Sequence, residues 1–222
     1  MLPRFENKLN EIQHMMSTLI EHIITANKMT LEAYKSHDNP AFDKVSAELK
    51  SIGSQANTID NEIVKTFALF GPEAEELRML ISYLKMTNEF VRIGEGTKKY
   101  ARRMREHCEG ECDLTSLDSV IIPLHKSSLD ALTYIAQYFK DKENCDVEEI
   151  YRKVMVEESK NDDLFAILEK EILTSIMSSG PLSVEYVRVL GTLRKLERSC
   201  DRSVNIANLL MFAKQGGNIH IY

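Results

Sequence analysis

The 222-residue sequence has no tryptophan, nine glycines, five prolines and only 7% aromatic residues. With so few breakers, long helices can run uninterrupted, and the composition is that of a mostly helical protein. No uncharged apolar stretch of about 18 residues is present, so no transmembrane helix is expected. The opening "MLPRFENKLNEI" lacks the apolar block of a secretory signal and reads straight into an amphipathic helix. A basic excess is also missing. With a formal charge of -6 the fold as a whole is not expected to coat nucleic acid. The four cysteines, Cys108, Cys112, Cys145 and Cys200, match no zinc-ribbon or zinc-finger spacing and read as reduced thiols of a cytosolic protein. There is no glycine-rich phosphate loop and no Ser-His-Asp order. The six histidines are scattered, which argues against ferritin-like di-iron oxidation chemistry, built on E-x-x-H ligands.

What is present is a helical beat. Leu9, Ile12, Met16, Leu19, Ile23, Ala26, Thr30 and Ala33 alternate steps of three and four, the seam of a long helix packed at a shallow angle. "SHDNP" ends that helix. Further helices are expected over 41–70, 73–108, 117–141, 147–177 and from "SSGPLS" to about Lys214. The polar stretch "EGECDLTS" divides the chain into halves, 1–110 and 111–222. The plan of helix, long helix, Gly-Pro turn, long helix then occurs twice. Glu95 and Asp201 stand 106 residues apart, within "RIGEGTKKYA" and "RSCDRSVNIA". These two stretches read as copies of one motif. The expectation is an all-α protein of two pseudo-symmetric three-helix bundles, set end to end.

The last helix carries a polar line beside its apolar stripe. Glu197, Asp201 and Asn205 recur every four residues and so share one face. The preceding helix carries Glu158 and Asp162 with the same spacing. Measured from Gly180, Asp162 lies 18 residues before and Glu197 17 after; Glu158 lies 22 before and Asp201 21 after. Antiparallel helices would set those pairs at matching heights. Clustered carboxylates repel, and a cation relieves the repulsion. Oxygen donors suit Mg²⁺, Mn²⁺, Ca²⁺ or iron, and zinc less ideally. Spacing alone leaves open the plainer alternative of solvent-facing charges paired with lysine and arginine. Arg198 and Arg202 read first as such solvated i,i+4 partners.

"LERSCDRSVNIA" resembles the repeated L-E-R-I-G-D-x-x-x-N-I-A motif of the PhoU family of phosphate-signalling regulators. "PEAEELR" is similar to that family's P-x-A-x-D-L-R, "RIGE" to a first R-I-G-D, and "KQGGNIHIY" to its short C-terminal extension. The resemblance covers nearly the whole chain. It implies two three-helix bundles with internal pseudo-twofold symmetry. It further implies a metal ion or multinuclear metal cluster, iron or zinc foremost with manganese or magnesium as alternatives, at E-x-x-x-D motifs. The implied protein is cytoplasmic, homodimeric and not an enzyme. Its implied partners are the ATPase of the phosphate ABC transporter and a sensor histidine kinase. It would reach the membrane only through those partners and would repress phosphate-starvation genes.

The first half departs from the pattern. Val91 stands for the expected Glu, Glu95 for the Asp and Lys99 for the Asn, and Ala56 stands four residues before Asp60. The metal ligands are therefore expected in the second half: Glu158, Asp162, Glu197, Asp201 and Asn205. Two rival readings remain: a metal-dependent hydrolase or oxidase using the carboxylates, and a purely structural helical module.

Overall fold

A computed structural model describes residues 3–142, 144–178 and 182–217. Among these residues seven α-helices follow in order: α1 (Pro3–Lys35), α2 (Ala41–Glu48), α3 (Ile52–Phe70), α4 (Ala74–Cys108), α5 (Asp118–Lys140), α6 (Val147–Ser178) and α7 (Ser183–Gln215). The described residues contain no strand. A short 3₁₀ turn, Thr115–Leu117, leads into α5. The Gly180-Pro181 turn used above as a ruler, and the tail from residue 218, lie outside the described residues.

One expected helix is broken. The segment 41–70 is two helices, because the chain tightens at Leu49–Ser51 through the i→i−3 bonds Lys50 N–H to Ala47 O (3.2 Å) and Ile52 N–H to Leu49 O (3.4 Å). The break lets apolar side chains on both sides turn inward: Phe42, Val45, Leu49 and Ile52 are all buried. Ser51 and Gly53 mark it only weakly, and the apolar rhythm runs straight through, so the periodicity conceals it.

The halves do not stack end to end. They lie side by side along two antiparallel seams. On the first, α1 meets α5: the Tyr34 hydroxyl donates to Asp118 (2.5 Å) near one end, and the Gln13 amide donates to the Phe139 carbonyl (3.4 Å) near the other. On the second, α4 meets α7: His107 bonds Glu185 (2.5 Å) and Thr192 (2.9 Å), and Arg202 bonds Glu89 (2.7 Å). Exchanging α1 with α5, α3 with α6 and α4 with α7 reproduces the same set of neighbours, as a two-fold axis across both seams requires. One continuous apolar core results, with side chains from both halves. An aromatic group closes the seam between them. Phe139 of α5 meets Tyr83 and Phe90 of α4, with ring centroids 5.7 and 6.1 Å apart.

The cysteines fit the reduced reading. All four are free, and burial pushes the Cys108 thiol up to about 11. That keeps it from thiolate chemistry at neutral pH.

His125 is wholly buried, edge-on to the Tyr100 ring at 5.3 Å, and burial pulls its pKa down to about 3. In the unfolded chain it titrates near 6.5. Between those values the unfolded state binds the extra proton, so stability drops as pH falls from about 6.5 toward 3, by up to ~1.4 kcal/mol per pH unit. His125→Leu should flatten that slope in urea titrations at pH 7, 6 and 5. An unchanged slope would show that another group sets the acid sensitivity.

Candidate metal centre

α6 and α7 run antiparallel. Glu148 is hydrogen-bonded to Gln215 at one end, and Glu169 pairs with Arg194 at 3.8 Å further along. Counting fourteen residues inward from the first pair, or seven from the second, reaches Asp162 and Asp201. These two carboxylates are therefore level. The ruler from Gly180 had paired Asp201 with Glu158 and Asp162 with Glu197, so the true register is displaced by about one helical turn.

That register decides which ligands meet. Glu158, Asp162 and Asp201 each offer an oxygen within 4.8 Å of the others. Two oxygens bound across one ion at 2.0–2.5 Å lie no more than about 4–5 Å apart, so the triad fits a single hard cation. Its half-open setting leaves room for water as further ligands. Glu197 lies one turn before Asp201 and outside the triad. Asn205, one turn after Asp201, is buried on the same face.

The electrostatics are those of a site short of positive charge. Burial, then Asp162 and Asp201, raises the Glu158 pKa. Burial, then Asp162, raises that of Asp201, against the pull of Arg202 and Arg198. Glu197 is raised by burial and then by Asp201. A bound cation would reverse every one of these shifts.

Arg202 is not the solvated i,i+4 partner that spacing suggested. It crosses to α4 and bonds Glu89, a carboxylate only 7% exposed.

The first half assembles no such cluster among the described residues. Asp60 accepts a hydrogen bond from the Thr87 hydroxyl at 2.7 Å, so it sits two turns along α4 from Glu95. Level with Gly94 and Glu95 is Ile52, close enough that a Cβ on Gly94 would lie 2.2 Å from the Ile52 Cδ1. Ile52 offers no oxygen to Glu95, which pairs instead with Lys98 at 2.6 Å. One E-x-x-H spacing does occur, at Glu11 and His14. Both are exposed on α1, where Glu11 is bound to Lys8 (2.8 Å), so they contribute nothing to the centre.

The symmetry of the fold has a counterpart in sequence. The PhoU domain matches twice, over residues 16–104 and 122–210. The chain belongs to the PhoU family. This PhoU-family protein is 26% identical over 190 residues to a phosphate-specific transport system accessory protein PhoU homolog of Pseudomonas aeruginosa, covering 78% of this chain and 71% of that one. Against the phosphate-specific transport system accessory protein PhoU of Escherichia coli the identity is 22%, over 96% of this chain and 86% of that one. The crystal structure of PhoU from Pseudomonas aeruginosa superimposes with a TM-score of 0.84 at 21% identity, covering 96% of this chain and 100% of that chain. The phosphate transport system regulatory protein PhoU of Streptococcus pneumoniae gives 0.81 at 19% identity, covering 97% and 99%. These structures share the PhoU fold. No helix among the described residues is long and apolar enough to cross a membrane.

Proposed function

We propose that this PhoU-family protein is a cytoplasmic accessory of a phosphate-specific transport system that holds phosphate-starvation signalling down when phosphate is ample. The double PhoU-domain match, spread over both halves, carries this reading. The names of its relatives supply the transport system. In mechanism it is a homodimeric adaptor rather than an enzyme. Rigid bundles present surfaces to the transporter ATPase and to a sensor histidine kinase.

A metal ion, or a small cluster of iron or zinc with manganese or magnesium as alternatives, belongs in this reading between α6 and α7. Glu158, Asp162 and Asp201 would hold it, with Glu197 and Asn205 a turn to either side. Its contribution would be charge neutralisation. It would let three carboxylates share one face and fix α6 against α7, with no group-transfer chemistry required.

Deleting the gene is the direct test. In phosphate-rich medium a reporter of phosphate-starvation genes should rise several-fold, and the intact chain supplied in trans should return it to baseline. Unchanged reporter activity, together with no copurifying transporter ATPase or kinase, would remove this function.

A further inference from the structure

The α4–α7 seam holds a second site of opposite charge. α4 residues and their repeat equivalents on α7 differ by 106 in number, and Glu89 faces Arg202 across the seam. The two-fold axis must then cross near Arg92 and Arg198, which are repeat equivalents of each other. Both copies of the repeated arginine are thereby brought to one place. A groove of about 310 Å³ lies there, lined by Arg92, Lys99, Lys195, Arg198 and Arg202 against Glu95, with Gly96 and Ser199 also lining it.

Three of the five cationic side chains in this groove are not neutralised from within. Glu95 is engaged by Lys98. Glu89, beneath the groove, is taken up by Arg202 and lies 4.0 Å from Arg92. Lys99, Lys195 and Arg198 make no ion pair among the described residues, although Asp201 draws on Arg198 from the acidic side of α7. Burial, followed by Arg103, Lys99 and Arg198, pulls the Lys195 pKa down, as expected where ammonium and guanidinium groups crowd. The Ser199 hydroxyl is buried and has no hydrogen-bond partner among the described residues. A buried donor without an acceptor costs about 1–3 kcal/mol, and an anion seated beside it removes that cost.

We infer that the dyad groove between α4 and α7 binds a small phosphate-bearing anion, inorganic phosphate or a compact phosphate ester, through Arg92, Lys99, Lys195 and Arg198. Planar guanidinium forks match tetrahedral oxyanions, and two of them converge here from the two repeats. The volume admits an anion from the size of phosphate to that of a diphosphate with a small organic group. The inference goes beyond the regulatory reading above and makes no use of the carboxylates between α6 and α7.

Calorimetric titration of the intact protein in about 50 mM salt, with phosphate, pyrophosphate and ATP in separate arms, tests it. Saturable binding is expected in at least one arm, and the arm that binds most tightly identifies the source as free phosphate or ester. Binding should weaken as salt rises, because the contacts are ionic. A charge-assisted hydrogen bond is worth about 1.5–3 kcal/mol, so Arg198→Ala should weaken binding about tenfold or more. Gly96→Glu should abolish it: a side chain at Gly96 meets nothing within 4 Å, so the helix tolerates the change while the groove gains a carboxylate. Arg105→Ala, at the Asp43 ion pair, should bind as the parent does. No binding at millimolar anion in any arm would overturn the proposal, as would parental affinity in Gly96→Glu. So would an acidic protein partner that is lost from Gly96→Glu when no small anion binds, since the groove would then be a docking surface.

Discussion

Asp201→Ala should remove most of the metal from protein purified without chelator, while Glu95→Ala leaves the content unchanged. Asp201 is level with Asp162, and the two share the triad with Glu158. Losing Asp201 deletes one bond and one charge of three, and the remaining pair, both on α6, no longer joins the two helices. An affinity loss of about 100-fold or more is the expected scale, since an ionised ligand is worth at least a few kcal/mol in such a site. Glu95 is bound to Lys98 and stands level with Ile52, which offers no oxygen. Elemental analysis of both variants, with circular dichroism to check folding, reads the result. Equal loss from the two would place the metal in the wrong half, and unchanged metal in Asp201→Ala would disprove this coordination. The apo protein should behave in a complementary way. Because the pKa values of Glu158, Glu197 and Asp201 are raised in the fold, these groups contribute more stability as pH falls through those values. His125 acts in the opposite sense.

The largest loss of stability is expected from Phe139→Ala. The ring is 4% exposed and meets Tyr83, Phe90 and Tyr138 with centroids 5.2–6.1 Å away. Removing it takes away a buried aromatic side chain and leaves a cavity between α4 and α5, which costs about 3–5 kcal/mol. Since Tyr83 and Phe90 belong to one repeat and Phe139 to the other, the loss should appear in a single unfolding transition of the whole chain. Two separated transitions in urea, with only the second half destabilised, would contradict the continuous core.

The helical plan was readable because long amphipathic helices write their period into the sequence. Leu9 to Ala33 kept a seven-residue beat, and all but Thr30 of the quoted positions are core hydrophobics. The acidic ladder was readable for the same reason: four-residue spacing fixes a face. Register was not. Whether Asp201 is level with Asp162 or with Glu158 depends on how α6 and α7 slide past each other, and residue counts from a turn do not set that sliding. Counting did serve in the first half: Asp60 lies 12 residues before Pro72 and Glu95 23 after it, so the two are not level, and the fold sets Asp60 against Thr87. The break at Leu49–Ser51 escaped because the apolar steps of three and four run through it unbroken and outweigh the weak signals of Ser51 and Gly53. The basic groove escaped because its residues come from two helices, about a hundred residues apart in sequence, that only the fold sets side by side. The one signal in the sequence was the arginine preserved in both motif copies, Arg92 and Arg198.

The reach of Arg202 across the seam to Glu89 bears on how the two repeats tell each other apart. Glu89 and Lys195 occupy equivalent places in their repeats yet carry opposite charge, as Gly96 and Arg202 are equivalent but unequal in bulk. A seam made from two identical second repeats would set Arg202 of each against Lys195 of the other, cation against cation. In the actual chain that meeting is replaced by Arg202 with Glu89 on one side of the axis, and by Lys195 with the bare Gly96 on the other. The interface has therefore ceased to be self-complementary. Each repeat is addressed to its own neighbour in the chain, and the charge arrangement disfavours two second repeats from separate molecules pairing in its place.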